Sequence, residues 1–179
     1  MNANVSRAVE IEPAQYLTFM LAQEPFAIGI LGIKEIIEYQ GVTEVPMMPP
    51  CVRGVINLRG AVVPVVDLPA RFGRPSSPVT KRTCVVIVEA ECGSGERQVM
   101  GLLVEAVNEV LDISAADIEP PPAFGARLRS DFIQGVGKVR GKFVLLLDVD
   151  RTLSIDEIAQ LGASAVGDET RQFDELVAA

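Results

Sequence analysis

The stretch VRGVINLRGAVVPVVDL, from Val52 to Leu68, decides the reading of this chain. Two short runs rich in β-branched residues flank a polar step, and the Arg59-Gly60 pair at its centre marks a tight hairpin turn, because glycine supplies the positive φ such turns need. The pattern returns later in the chain. Val52 to Val66 lies over Ile133 to Leu147 without a gap, so that Gly54, Arg59, Gly60 and Asp67 correspond to Gly135, Arg140, Gly141 and Asp148. A second block repeats as well: Ala27 to Ile37 lies over Gly101 to Leu111, setting Ile33 against Val107, Glu35 against Glu109 and Ile36 against Val110. The chain is therefore duplicated, each copy reading as a strand, a long loop and a hairpin.

Outward from these blocks, the apolar runs Tyr16 to Leu21, Phe26 to Leu31, Cys84 to Val88 and Val99 to Val104 are short and punctuated by glycine, proline or charge. Such runs are strands, and the helical crossovers of a parallel sheet are missing between them. The chain reads as mostly β with antiparallel pairing. About five strands per copy suit a small closed barrel, which leaves no exposed edge. Two such barrels should pack together, since each alone is near the lower size limit for a stable core. Ser154 and Glu157 form a capping box for a short helix from Ile155 to Leu161 that ends at Gly162. Single turns are expected at Ser114 to Asp117 and Leu68 to Phe72, and a hairpin connection at Gly93-Ser94-Gly95. Residues 14–161 form the folded domain, with tails over 1–13 and 162–179.

Composition removes several functions. The 24 acidic and 16 basic residues give a net charge of −8, which argues against nucleic acid and anionic membrane surfaces as partners. No signal peptide or membrane-spanning run is visible, so the chain is expected in the cytoplasm. Cys51, Cys84 and Cys92 match no Cys-x-x-Cys pattern and read as ordinary reduced thiols. The chain has no histidine, so imidazole-dependent nucleophiles, histidine-ligated zinc and histidine phosphotransfer are excluded. No phosphate-binding glycine loop is present and no cofactor is expected.

The sharpest enzyme motif is FVLLLDVDRTLS, Phe143 to Ser154. It matches the pattern of an aspartate-dependent, magnesium-using phosphatase, with Asp148 as nucleophile and Asp150 as acid/base. In such enzymes the motif opens the domain, whereas here only 25 residues follow it and none is lysine. A receiver-like phospho-acceptor using Lys138 lacks its helices. Asp148 reads better as the repeat partner of Asp67. A different feature needs an explanation: Asn57 and Arg59 sit in an apolar run, and Glu35 sits in another. Charged groups among strand-core neighbours need partners, so Arg59 is expected to pair with Glu35. That pair would leave a charged spot ringed by aliphatic residues, as in a protein-binding groove.

Together, Tyr16 to Leu21, Ile33-Lys34-Glu35-Ile36, VRGVINLRGAVVPVVDL, Val99-Met100-Gly101, VNEVL at Val107 to Leu111 and FVLLLDVDRTL resemble the CheW family of chemotaxis coupling proteins over roughly Ala14 to Leu161. The resemblance implies paired five-stranded SH3-like β-barrels and a non-catalytic adaptor. It would join the cytoplasmic tip of a methyl-accepting chemoreceptor to the regulatory domain of a CheA-type histidine kinase, reaching membrane receptor arrays only through its partners. The implied binding residues are Ile33, Glu35, Gly54, Asn57, Arg59 and Gly101, with Glu35 and Arg59 as polar determinants and the receptor tip in the groove between the barrels. Service in a non-flagellar array, such as one for pilus motility, fits the same resemblance.

Overall fold

The computed structural model describes residues 14–76, 78–91, 96–121 and 132–153. The helix expected over Ile155 to Leu161, the Gly93-Ser94-Gly95 step, Cys92 and both tails lie outside them. Eleven strands follow in order: β1 (Ala14–Leu21), β2 (Glu24–Gly29), β3 (Ile33–Glu38), β4 (Val52–Leu58), β5 (Ala61–Asp67), β6 (Cys84–Glu91), β7 (Arg97–Val104), β8 (Ala106–Ile113), β9 (Ile118–Glu119), β10 (Ile133–Val139) and β11 (Lys142–Leu147). Two one-turn helices, α1 (Leu68–Arg71) and α2 (Val149–Thr152), follow β5 and β11. Asp67 and Asp148 cap them: each side chain accepts from the N–H three residues on, Ala70 and Arg151 respectively, both at 3.2 Å. The repeated aspartate is thus a helix start. Ser114 likewise begins the 3-10 turn Ala115–Asp117, accepting from the Ala116 N–H.

The strands form two sheets, in the orders β8-β1-β2-β11-β10-β9 and β3-β6-β7-β5-β4. This corrects two expectations. Neither sheet is a closed barrel, because among the described residues no ladder joins β8 to β9 or β3 to β4. Pairing is also not wholly antiparallel, since β2 with β11 and β5 with β7 run parallel.

The duplication explains both. Matching the copies strand by strand, each sheet has the order third-first-second-fifth-fourth, with β9 added at the edge of the six-stranded one, but it takes its first and second strands from one copy and the rest from the other. The copies exchange strands, and their contributions meet twice in each sheet, antiparallel at β8–β1 and β3–β6 and parallel at β2–β11 and β7–β5. Strands from different copies share no hairpin loop, so nothing imposes antiparallel pairing on them.

Each sheet curls without closing. The five-stranded sheet holds Val63, Val65, Val85, Ile87 and Leu103 on one side, while the six-stranded sheet holds Tyr16, Ala27, Ile113, Val144 and Leu146. The opposite sides meet in a shared core that includes Phe19, Phe26, Ile28, Val86, Val88, Leu102, Leu68 and Leu153. Burial on both faces is why these strands read as nearly continuous apolar runs. The open edges are blunted by other means: β9 has two residues, β3 carries Lys34, Glu35 and Glu38, and β4 is partly covered by a Thr43–Val55 bridge.

Candidate functional site

The β4–β5 hairpin builds the polar part of the site. Leu58 faces Ala61 across a two-residue turn in which Arg59 (φ 51°) and Gly60 (φ 87°) both lie in the left-handed region. That is the turn whose twist matches paired strands. Its copy at Arg140 (φ 50°) and Gly141 (φ 76°) has the same form. The Asn57 side-chain oxygen accepts from the Gly60 N–H at 2.8 Å, so Asn57 holds the turn. From this turn the Arg59 Nη2 donates to Glu35 Oε2, also at 2.8 Å. Since β3 and β4 are opposite edges of the sheet, the ion pair spans the gap that a ladder would close in a barrel. The second sheet repeats the device, with Arg140 Nη1 lying 3.7 Å from Glu109 Oε1.

A single row of paired residues crosses the five-stranded sheet beneath that pair: Glu35, Ile87, Gly101, Val65 and Gly54. Both glycines are forced by packing. A Cβ on Gly54 would lie 2.3 Å from the Thr43 carbonyl oxygen, with φ at +155°, and one on Gly101 would lie 2.7 Å from Val85 Cγ1. All six expected residues, Ile33, Glu35, Gly54, Asn57, Arg59 and Gly101, lie on this one sheet or its β4–β5 turn, and Glu35, Gly101 and Gly54 share the row.

Ile33 starts β3 and packs against the shared core, while the turn just before it borders a cleft of about 590 Å3 between the two sheets. The cleft is walled by the 3-10 turn Ile30–Gly32, by Glu89 and Arg97, and by the run Leu147 to Asp150 leading into α2. Leu31, at the tip of the turn, is 101% exposed. The sequence reading passed over it, although the spacing Gly29-Ile30-Leu31-Gly32 marks a turn that leaves apolar side chains without strand neighbours. Lys34 donates to Glu89 at 2.9 Å and holds its carboxyl below the usual carboxylate range, with Arg97 adding to the effect.

The acidic motif has a structural use. Asp148 caps α2, and Asp150 Oδ1 accepts from the Glu91 N–H at 2.9 Å. Among the described residues no three acidic or cysteine side chains gather as metal ligands. The receiver-like reading fails on topology, since each sheet holds one parallel pair.

The CheW-like domain family matches residues 15–157. The chain belongs to this family. It is 34% identical over 158 residues to the chemotaxis protein CheW of Klebsiella aerogenes, covering 88% of this chain and 92% of that one. It is 32% identical over 143 residues to the CheW of Rhizobium meliloti, covering 80% and 89%. Among solved structures, the scaffolding protein TtCheW of Thermoanaerobacter tengcongensis superimposes with a TM-score of 0.70 at 32% identity, covering 79% of this chain and 88% of that one. Like the family, the chain is a non-catalytic chemotaxis adaptor that links chemoreceptors and a CheA-type kinase. No helix of the described residues is long and apolar enough to cross a membrane.

Proposed function

We propose that the chain couples the cytoplasmic tip of a methyl-accepting chemoreceptor to the regulatory domain of a CheA-type kinase, and that the receptor tip docks in the cleft between the sheets. The observation that carries this reading is the cleft of about 590 Å3 between the sheets with Leu31 fully exposed on its wall. Leu31 supplies an apolar anchor at the cleft, Ile33 packs behind it against the core, and Glu35 and Arg59, outside the cleft lining, extend the docking surface as its polar determinants. Gly54 and Gly101 keep the sheet close-packed beneath them, and Asn57 holds the turn that presents Arg59. Kinase contact falls to the exposed sheet ends, and association with membrane arrays follows from the partners. The test is co-sedimentation of a receptor cytoplasmic fragment and the kinase from the same source, with and without this protein, reading kinase activity in the pellet. Recruitment and activation should require the protein; a kinase that pellets equally without it refutes the reading.

A further inference from the structure

α2 follows the last strand of the six-stranded sheet, yet it is fastened to elements of the other sheet at two points. At its start, Asp150 Oδ1 accepts from the backbone N–H of Glu91, the last residue of β6. At its end, Arg71 Nε donates to the Thr152 carbonyl oxygen at 2.9 Å, a buried bond from the helix that follows β5. The Arg71 guanidinium also lies 4.6 Å from the centre of the Phe132 ring, which precedes β10. Arg71 is itself buried, and a planar guanidinium held by a carbonyl and an aromatic face has a fixed direction.

The duplication gives this contact a special place. Counting from the capping aspartates Asp67 and Asp148, Arg71 and Thr152 are equivalent positions. Two equivalent positions that touch lie on the axis relating the copies. The matched bonds Asp67 N–H to Cys51 O, at 2.7 Å, and Asp148 N–H to Phe132 O, at 2.8 Å, flank them. Around an axis, a small change of contact becomes a change of angle between the sheets. α2 also forms part of the cleft wall, through Val149, Asp150 and its capping Asp148.

We infer that Arg71 and Asp150 are positioning residues, a two-point clamp on α2 that sets the width of the cleft and thereby the affinity for the receptor. The inference rests on the docking site proposed above. It also gives the Asp-x-Asp motif a use that is neither catalytic nor metal-binding: the first aspartate starts the helix and the second fastens it.

The test uses the full chain, a receptor cytoplasmic fragment and the kinase, with the variants Asp150→Ala, Asp150→Asn and Arg71→Met. Asp150 is exposed, so its variants should fold; Arg71 does not line the cleft, so its variant separates positioning from direct contact. Asp150→Ala and Arg71→Met should each weaken receptor binding by about tenfold while leaving kinase affinity within about twofold, the size expected from one lost directional bond. Asp150→Asn keeps the accepting oxygen and should bind like the parent. The double variant Asp150→Ala with Arg71→Met should lose little more than either alone, because both release the same helix. Amide exchange at Glu91 should quicken in Asp150→Ala. Faster exchange with unchanged receptor affinity overturns the clamp, as does a matched fall of both affinities. If the parent protein itself fails to bind the receptor fragment, the docking reading fails and the clamp's role fails with it.

Discussion

Replacing Arg59 by alanine separates a recognition role from a structural one, because the structure fixes how little stability the replacement can cost. The Arg59 side chain is 78% exposed and its partner Glu35 is 25% exposed. An exposed ion pair at this distance contributes between about 0.2 and 1 kcal/mol, since water and salt screen it and two long side chains must be ordered. For a chain of this size, 1 kcal/mol shifts the thermal midpoint by roughly 2–4 °C. Alanine and arginine have the same difficulty with the left-handed backbone at this position, so the turn adds no further difference. Arg59→Ala should therefore lower the midpoint by no more than about 4 °C, measured by circular dichroism, and the shift should shrink in high salt. Kinase activation in the co-sedimentation assay should nevertheless be lost. Glu35→Ala should behave likewise, and the double variant should add little to either single one. Intact kinase activation by a folded Arg59→Ala protein would refute the assignment of the pair to the receptor surface. A midpoint loss much beyond about 4 °C would show instead that the pair holds the sheet edges together.

The two glycines of the cross-sheet row should differ in kind. Gly101→Ala collides with the Val85 side chain and should cost about 1–3 kcal/mol, partly recovered by adding Val85→Ala, whereas Gly54→Ala meets a backbone carbonyl that cannot yield and should cost more, with no such rescue; urea unfolding measures both. The β1–β2 turn uses Ala22 (φ 49°) and Gln23 (φ 65°), residues poorly suited to the left-handed region, with their N–H groups held by Glu105 at 3.0 and 3.4 Å. Replacing the pair with Asn-Gly should raise stability by about 1 kcal/mol, seen as a higher denaturant midpoint at unchanged slope. Burial pushes the Cys51 thiol up from its ordinary value, with Arg71 only partly offsetting it. A folded-state value above the unfolded one means that this contribution is complete below about pH 8.5, the ordinary thiol value, and declines as the pH rises toward the folded value. Cys51 should accordingly resist thiol reagents in the folded protein and react only as it unfolds, checked by mass spectrometry of labelled peptides.

What the sequence determined by itself was local. The Arg-Gly turns follow from glycine's freedom at positive φ, and Asp67 and Asp148 were legible as repeat partners, though their capping role emerged only with the helices they start. The Arg59–Glu35 pair was legible too, because a charge in an apolar run must find a partner and few were available. Which strands pair could not be read the same way. Two copies of one pattern are equally suited to pairing within a copy or between copies, so the sequence is degenerate on that point, and closed barrels, one per copy, were the natural but wrong reading. Only the tertiary structure shows that the chain crosses between sheets at Ile30–Gly32 and again at Glu105, exchanging strands and leaving both sheets open. Asp150 shows the same limit: its neighbours in sequence suggested catalysis, while its actual partner, the Glu91 N–H, is 59 residues away. Local steric and capping preferences are written in adjacent residues; contacts across a pseudo-symmetric axis exist only once both copies have packed.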